Sequence, residues 1–361
     1  MQDRNGIGSL IGLRAEAVTP IVHAKVPIRV EGTENDLKPI ELAMRRELVA
    51  NDNGGLTAID IPIITGNSQC GNIRRLLLSD LLARLDLKRA VFGERSIPDS
   101  VRVLYHTLFS GGTLGMDGKF IPEFTIESEE VVRQQWPMLS LLGASMGKSM
   151  LRSKVAFHDL IPAAMVLAKH VPSELRQSLG LVDFDPTLAL VLPEDDASYA
   201  GSRAFDRRVP APVASEPKKK KKDGASEAPA PEPAAEPDNG VPAPAKEKEE
   251  PKNPYREGIK PRTGYIPAGT PLMSWIEVDA DLTDVEFGVL SRGLELLIAR
   301  GRLGGWGHIG FGRAQIEVVA GELDSSAYSE WLDENHDRLV AELTGKEEPC
   351  WTTGLLDSLP R

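Results

Sequence analysis

The sequence predicts an α+β fold in which two helices cover one face of an antiparallel sheet. Residues 11–17 place Ile11, Leu13 and two alanines at alternate positions, which is the period-two pattern of a half-buried strand. Hydrophobic residues then recur at helical spacing over residues 68–85, where four leucines and Ile73 fall on one face. A strand followed by an amphipathic helix indicates a domain that mixes both kinds of element.

The elements predicted further along the chain complete this pattern. Alternating residues predict strands over residues 153–158, 272–278 and 314–320. Thr283 and Glu286 have the spacing of a capping box, and the helix that they start can end at Gly301. The resulting order, strand–helix–strand and again strand–helix–strand, matches a ferredoxin-like β-α-β-β-α-β unit, the fold that RNA-recognition domains use.

A long polar segment interrupts this fold between its two halves. Residues 209–254 are rich in proline, alanine, glutamate and lysine and contain almost no large apolar side chains. Burial cannot offset the entropy of ordering such a segment, so we predict that it is disordered. Five consecutive lysines at residues 218–222 can serve as an arm for RNA phosphates, as a tail for an acidic partner, or as a solvated charge run without a partner.

The composition predicts a globular protein of the reducing cytosol. Of the 361 residues 41% are hydrophobic and 26% are charged, and neither a signal peptide nor a membrane span is predicted. Cys70 and Cys350 form neither a zinc pattern nor a disulfide framework, which favours a cytoplasmic location. Much of the net charge of −11 lies in residues 322–361, so the charge of the remaining chain neither supports nor excludes an RNA partner.

Two glycine-rich stretches resemble phosphate-binding motifs but lack their structural context. Residues 305–310 read G-x-G-x-x-G, yet they follow a predicted helix and precede a strand, the reverse of a dinucleotide site. They indicate either a tight connection or a loop along an RNA backbone. Residues 143–149 have three residues between their glycines, where a Walker A loop has four. Cations close to this second stretch can contact RNA phosphates: Lys148, Arg152 and Lys154.

Residues 63–75 have the pattern of an anion site at a helix N-terminus. Gly66, Asn67 and Ser68 begin the predicted helix, where free backbone N–H groups and the helix dipole favour a phosphate. Arg74 and Arg75 lie within the first two turns and can reach the same phosphate, and we expect both to point away from the leucine face. The alternative is an ordinary Asn or Ser cap followed by two exposed arginines.

No catalytic set stands out, so we predict a protein that is not an enzyme and that needs no cofactor or metal. The six histidines have neither zinc-ligand spacing nor a G-x-S-x-G context. Two alternatives remain open at this point. One is a metal-dependent ribonuclease that uses acids such as Asp117 or Asp159, and the other is a filament scaffold made of protein alone.

Three of these stretches and a fourth, residues 265–270, occur in an order that resembles the RAMP superfamily of CRISPR-associated proteins. Residues 63–75 are similar to the IPGSSLRGxLR helix start of that superfamily, and residues 142–143 with 154–159 are similar to its FG…S…V.D stretch. Residues 265–270 are similar to its VPAGT strand entry, and residues 301–313 are similar to its C-terminal glycine-rich loop. The resemblance spans residues 7–320 outside the insertion. Within the superfamily it is closest to the Cas-seven-type backbone subunit, of a type IV kind.

This resemblance implies a non-catalytic subunit that binds single-stranded guide RNA along its phosphate backbone. It implies self-association into an open helical filament and assembly with other CRISPR effector subunits. Type III relatives carry an RNA-cleaving aspartate after the first strand, whereas residues 18–23 contain none, which argues against cleavage here.

The resemblance also implies a division of the chain. A palm comprises residues 1–192, with an inserted helical region, and residues 268–321. A thumb over residues 193–267 contains the disordered insertion, and an acidic tail covers residues 322–361. The residues that the resemblance and the local patterns place on RNA are Gly66, Asn67, Ser68, Arg74, Arg75, Lys148, Arg152, Lys154, Arg302, His308 and Arg313.

Overall fold

The structure is a computed structural model. It describes residues 9–23, 42–50, 53–87, 99–112, 126–146, 149–191, 264–305, 307 and 310–348. All of them belong to one unit of the chain, which comprises Met1–Asp195 and Arg262–Arg361. The predicted disordered insertion, its lysine block and nearly all of the predicted thumb lie outside the described residues, as do Lys148, His308 and Asp117.

The described residues form nine strands and seven helices, with short 3₁₀ turns between some of them. The strands are β1 (Ser9–Ala17), β2 (Met44–Ala50), β3 (Leu56–Pro62), β4 (Ala144–Met146), β5 (Ser149–Leu151), β6 (Val155–Phe157), β7 (Ile161–Pro162), β8 (Pro271–Val278) and β9 (Ala314–Ala320). The helices are α1 (Gly66–Arg84), α2 (Asp99–Ser110), α3 (Ile126–Gln135), α4 (Pro137–Leu142), α5 (Asp284–Arg300), α6 (Ser326–Glu334) and α7 (His336–Thr344). The prediction of an α+β fold with an antiparallel sheet is confirmed.

The main sheet has β1 near its centre. Its strand order is β6-β8-β1-β9, β7 also pairs with β8, and every one of these pairs is antiparallel. β1 therefore hydrogen-bonds on both sides to strands from the last third of the chain. The four strands and two helices that the sequence patterns predict are all present, with bounds within a few residues of those expected.

Helices α1 and α5 cover one face of this sheet. Ile11, Leu13 and the two alanines of β1 are buried against Ile73 of α1 and Leu290 of α5. The helices approach closely at Gly293, where an added Cβ would lie 2.6 Å from the Ile73 side chain. The predicted capping box is confirmed, because Glu286 N donates to Thr283 Oγ1 and Thr283 N donates to the Glu286 carboxylate.

The other face of the sheet is covered by elements that the sequence patterns did not predict. The β2–β3 hairpin and a segment of 3₁₀ turns (Met165–His170, Ser173–Leu175 and Pro186–Ala189) pack there. Ile61 of β3, Leu167 and Met273 of β8 are fully buried in this second core. The short length of the turns and the mixed polarity of the hairpin explain why hydrophobic periodicity did not reveal them.

The predicted acidic tail begins as two helices that pack on the core. Tyr328, Leu332, Leu339 and Leu343 are buried in the same core as α5. Trp136 Nε1 donates to Glu342 Oε2 at 3.2 Å, so one of the acidic residues is a buried hydrogen-bond acceptor. Within the described part of the chain, no helix is long and apolar enough to cross a membrane.

Candidate nucleic-acid interface

The N-terminus of α1 already has an anion beside it. Gly66 N donates to Asp159 Oδ1 at 3.0 Å, and Arg45 Nη1 lies 3.1 Å from Asp159 Oδ2. The N–H of Ser68, two residues further on, is capped by the Thr65 hydroxyl. Because an internal carboxylate takes the position that the helix dipole favours for an anion, the predicted phosphate contact at Gly66 has no support in this geometry.

Gly66 has a different role, which is close packing. An added Cβ at this position would lie 1.8 Å from the main-chain oxygen of Phe157, the last residue of β6. The glycine therefore allows the helix to start directly against the main sheet. Asn67 beside it is exposed and Ser68 is half-buried, so both remain available from outside.

Arg74 is buried, and the expectation that it points away from the leucine face is wrong. Its side chain is 5% exposed. Arg74 Nη2 donates to the main-chain oxygens of Leu142 at 2.9 Å and Gly143 at 2.8 Å, and Nη1 donates to that of Thr107 at 3.5 Å. Desolvation lowers the pKa of this guanidinium. Arg74 thus joins α1 to α2 and to the end of α4, and it cannot reach a phosphate on the surface.

Lys154 is also committed to contacts inside the chain. Its side chain is only 14% exposed, and Nζ donates to Glu286 Oε2 at 3.1 Å. The Ser140 hydroxyl donates to the other oxygen of that carboxylate. Arg152 is exposed and borders a cavity of about 220 Å³ that is shared with Asp279 and Asp281, so its surroundings combine both charges.

A basic surface lies one helical turn further along α1, where α1 meets the end of α5. Arg300 Nη1 donates to Asn72 Oδ1 at 3.0 Å, and Asn72 Nδ2 donates to the main-chain oxygen of Arg302 at 3.3 Å. Arg75 is exposed on the next turn of α1, and Arg313 is exposed opposite Arg302 across an antiparallel bridge. We call Arg75, Arg300, Arg302 and Arg313 the arginine surface.

The arginine surface carries no neutralising carboxylates among the described residues. Arg302 Nη1 donates to the main-chain oxygen of Gly307, and Arg300 donates to the neutral amide of Asn72. No described acidic side chain forms an ion pair with any of the four arginines. Exposed cations without such partners form an electropositive surface that attracts phosphate groups.

The glycine-rich stretch makes the tight helix-to-strand connection, which is one of the two structures predicted for it. Gly305 N donates to the Val22 oxygen at 2.7 Å, and Gly312 N donates to the Pro20 oxygen at 2.9 Å. An added Cβ at Gly312 would lie 2.2 Å from the Leu303 oxygen. The glycines thus hold the connection against the chain that follows β1, and this places Arg302 and Arg313 at the edge of the arginine surface.

His23 lies beside the start of α1 in its neutral form. Thr65 N donates to His23 Nε2 at 3.3 Å, so this nitrogen carries no proton. Burial lowers the pKa of the imidazole, against a smaller opposing effect of the Asp159 carboxylate. Protonation would break the hydrogen bond from Thr65.

We expect His23 to make stability depend on pH. The pKa of His23 in the folded state lies below its unfolded value of about 6.5. Its contribution to the free energy of unfolding is therefore complete above about pH 6.5, and it is lost as the pH falls towards the folded-state pKa. Urea unfolding between about pH 7.5 and about pH 5 measures this dependence. The unfolding free energy of His23→Gln should decline less than that of the wild type across this pH range. An equal decline in both proteins would contradict the role of His23 in the pH dependence.

Comparison with known proteins gives matches among solved structures. No protein-family model matches the sequence, and no curated protein matches it. The chain is similar to one in a structure titled Type IV-B CRISPR Complex, with 15% identity, 88% of this chain and 93% of that chain covered, and a TM-score of 0.44. It is also similar to Csc2 of Thermofilum pendens, with 13% identity, coverage of 99% and 88%, and a TM-score of 0.33.

Both TM-scores lie under 0.5, and we therefore base the proposed function on contacts within this chain. Sequence reasoning missed Asn72 and Arg300, which join α1 to α5. A basic residue in the last turn of a helix is readable from sequence, but its approach to α1 depends on the packing of two helices that are distant along the chain.

Proposed function

We propose that this protein is a non-catalytic backbone subunit of a CRISPR ribonucleoprotein, and that it binds single-stranded guide RNA on the arginine surface. The observation that carries the proposal is the convergence of Arg75, Arg300, Arg302 and Arg313, without neutralising carboxylates among the described residues. Side chains of this type bind phosphates without reading sequence, which suits a subunit that coats guides of any sequence.

The connectivity of the main sheet supports a ferredoxin-like palm. Counting only the central strands, β1 is followed by α1 and β6, and β8 is followed by α5 and β9. The spatial order β9-β1-β8-β6, antiparallel throughout and with both helices on one face, is the arrangement that a β-α-β-β-α-β unit adopts. The arginine surface then lies where the N-terminal part of α1 meets the C-terminal end of α5.

The surroundings of Asp159, one of the two acids named as examples for the ribonuclease alternative, favour a scaffold instead. Asp159 is held by Arg45 and by the Gly66 N–H, so its oxygens already have donors within the chain. Self-association along RNA and assembly with other effector subunits belong to the same proposal, because a subunit that binds only phosphates can repeat along a strand.

Removing three of the exposed cations should weaken RNA binding and its dependence on salt. We expect the variant with Arg75→Gln, Arg300→Gln and Arg313→Gln to bind single-stranded RNA less tightly. The slope of log K against log salt should become shallower by about 0.7 for each phosphate that the protein no longer neutralises, or about 2 in total. Fluorescence anisotropy with a labelled RNA of mixed sequence over a salt series measures both quantities.

The matched control removes three exposed cations from other surfaces. Arg102→Gln, Arg176→Gln and Lys346→Gln change the net charge equally, and all three side chains are exposed. This control should keep a slope close to that of the wild type. If both triple variants show the same reduced affinity and slope, binding follows net charge alone and the arginine surface is not the site. A wild type that binds no RNA would contradict the proposed function itself.

A further inference from the structure

The outward face of the β2–β3 hairpin is largely exposed: seven of its eight residues are exposed, and only Pro62 is buried. Its other face packs into the second core through Val49 and Ile61. Directly opposite residues in an antiparallel pair share a face. The pairs on the outward face are Met44 with Pro62, Arg46 with Asp60, Leu48 with Ala58, and Ala50 with Leu56. We call these eight residues the hairpin face.

The hairpin face exposes large apolar side chains. Leu48 is 51% exposed and Leu56 is 66% exposed, and Met44 is exposed beside them. Scattered surface leucines are common, but large apolar side chains that are exposed together on one face of a two-stranded sheet are typical of an interaction site.

The face is complementary in shape to a second copy of itself. Leu48 lies opposite the small side chain of Ala58, and Leu56 lies opposite that of Ala50. A twofold axis parallel to the strands places β2 of one copy over β3 of the other. Each leucine then faces the alanine of the partner copy, so the two sheets can interdigitate at the usual spacing of about 10 Å.

The face is complementary to itself in charge as well. Arg46 Nε and Nη2 donate to the two oxygens of Asp60, each at 2.9 Å, across the centre of the ladder. The same twofold axis places Arg46 of one copy against Asp60 of the other, twice. A partner with a single sign of charge would meet a repelling residue at this point, which favours a second copy of this chain over a nucleic acid or a purely acidic or basic segment.

We propose that the hairpin face is a twofold contact between two copies of this chain. Such a contact is isologous, so it closes after two copies and differs from the open association proposed along RNA. The area of one hairpin face is small, and the pair is therefore expected to be weak and dependent on concentration. The contact needs no RNA, and its failure would leave the proposed RNA-binding function unaffected.

The first test measures the mass of nuclease-treated wild-type protein by light scattering over a concentration series. The average mass should rise with protein concentration, from that of one chain towards that of two chains. Leu48→Asp with Leu56→Asp should raise the dissociation constant of the pair at least about tenfold, a change of about 1.4 kcal/mol. Met150→Asp is the control, because Met150 is 81% exposed on β5 outside the hairpin face, and it should behave as the wild type.

A second test exchanges the charges. Arg46→Asp gives a face with two carboxylates, and Asp60→Arg gives a face with two guanidinium groups. Each variant alone should remain a single chain, whereas an equal mixture should recover the mass of two chains. If Arg46 and Asp60 paired only within one chain, mixing the two variants would not restore the mass of two chains. Wild-type protein of constant single-chain mass, or variants that pair as well alone as when mixed, would overturn the proposal.

Discussion

Arg74→Ala is expected to destabilise the protein by about 3 kcal/mol, because the main-chain oxygens of Leu142 and Gly143 would lose donors that contribute about 1.5–3 kcal/mol each. For a domain of this size the melting temperature should then fall by about 6–12 °C. The loss arises in the folded core, where the guanidinium joins α1 to α2 and to the end of α4. Urea unfolding followed by circular dichroism measures the change.

Two further variants separate this structural role from one on the surface. Arg74→Lys keeps the positive charge but has a single ammonium group, so it should recover only part of the loss. Arg75→Ala changes the exposed neighbour and should alter the unfolding free energy by less than about 0.5 kcal/mol. Equal stability of Arg74→Ala and Arg75→Ala would refute the account of Arg74.

The second large effect is expected at Gly66. A methyl group at this position would overlap the Phe157 oxygen at 1.8 Å, which is far inside van der Waals contact. Since the obstacle is main chain, the start of α1 or the end of β6 must move, and the Gly66 N–H bond to Asp159 would be strained with it. We expect Gly66→Ala to cost about 3 kcal/mol of unfolding free energy, at the upper end of overpacking changes.

The same helix supplies the control for this prediction. An added Cβ at Gly71 would find only the flexible Arg75 side chain, at 3.5 Å or more. Gly71→Ala should therefore stabilise the protein by about 0.5–1 kcal/mol, the usual gain when alanine replaces glycine within a helix. Thermal unfolding of both variants measures the contrast. A destabilisation at Gly71 as large as that at Gly66 would mean that the helix tolerates no substitution, for reasons other than the Phe157 contact.

Hydrophobic periodicity predicted four of the five strands of the main sheet and its two helices, since those elements bury one face and repeat apolar residues at a regular spacing. The capping box of α5 was readable for a similar reason, because Thr283 and Glu286 satisfy each other locally. The β2–β3 hairpin and the 3₁₀ turns escaped prediction. β2 carries charged and apolar residues on both of its faces, and the turns are too short to show a period.

The candidate site was only partly predictable for a related reason. The sequence places arginines 74 and 75 side by side, but adjacent helical residues point about 100° apart, so one can be buried while the other is exposed. Which of them faces inwards depends on α2 and α4, which supply the carbonyl groups. The anion that sits at the start of α1 is likewise distant in sequence, since Asp159 follows β6.

The central position of β1 has a consequence for the order of events during synthesis. Its two neighbours in the sheet, β8 and β9, are made about 250 residues or more after it. At ribosomal rates of about 5–20 residues per second, the strand waits on the order of 13–50 s for its first partner. During that interval the inward-facing apolar side chains of β1 have no sheet to join, so the nascent chain presents a binding segment for chaperones well before its core can close.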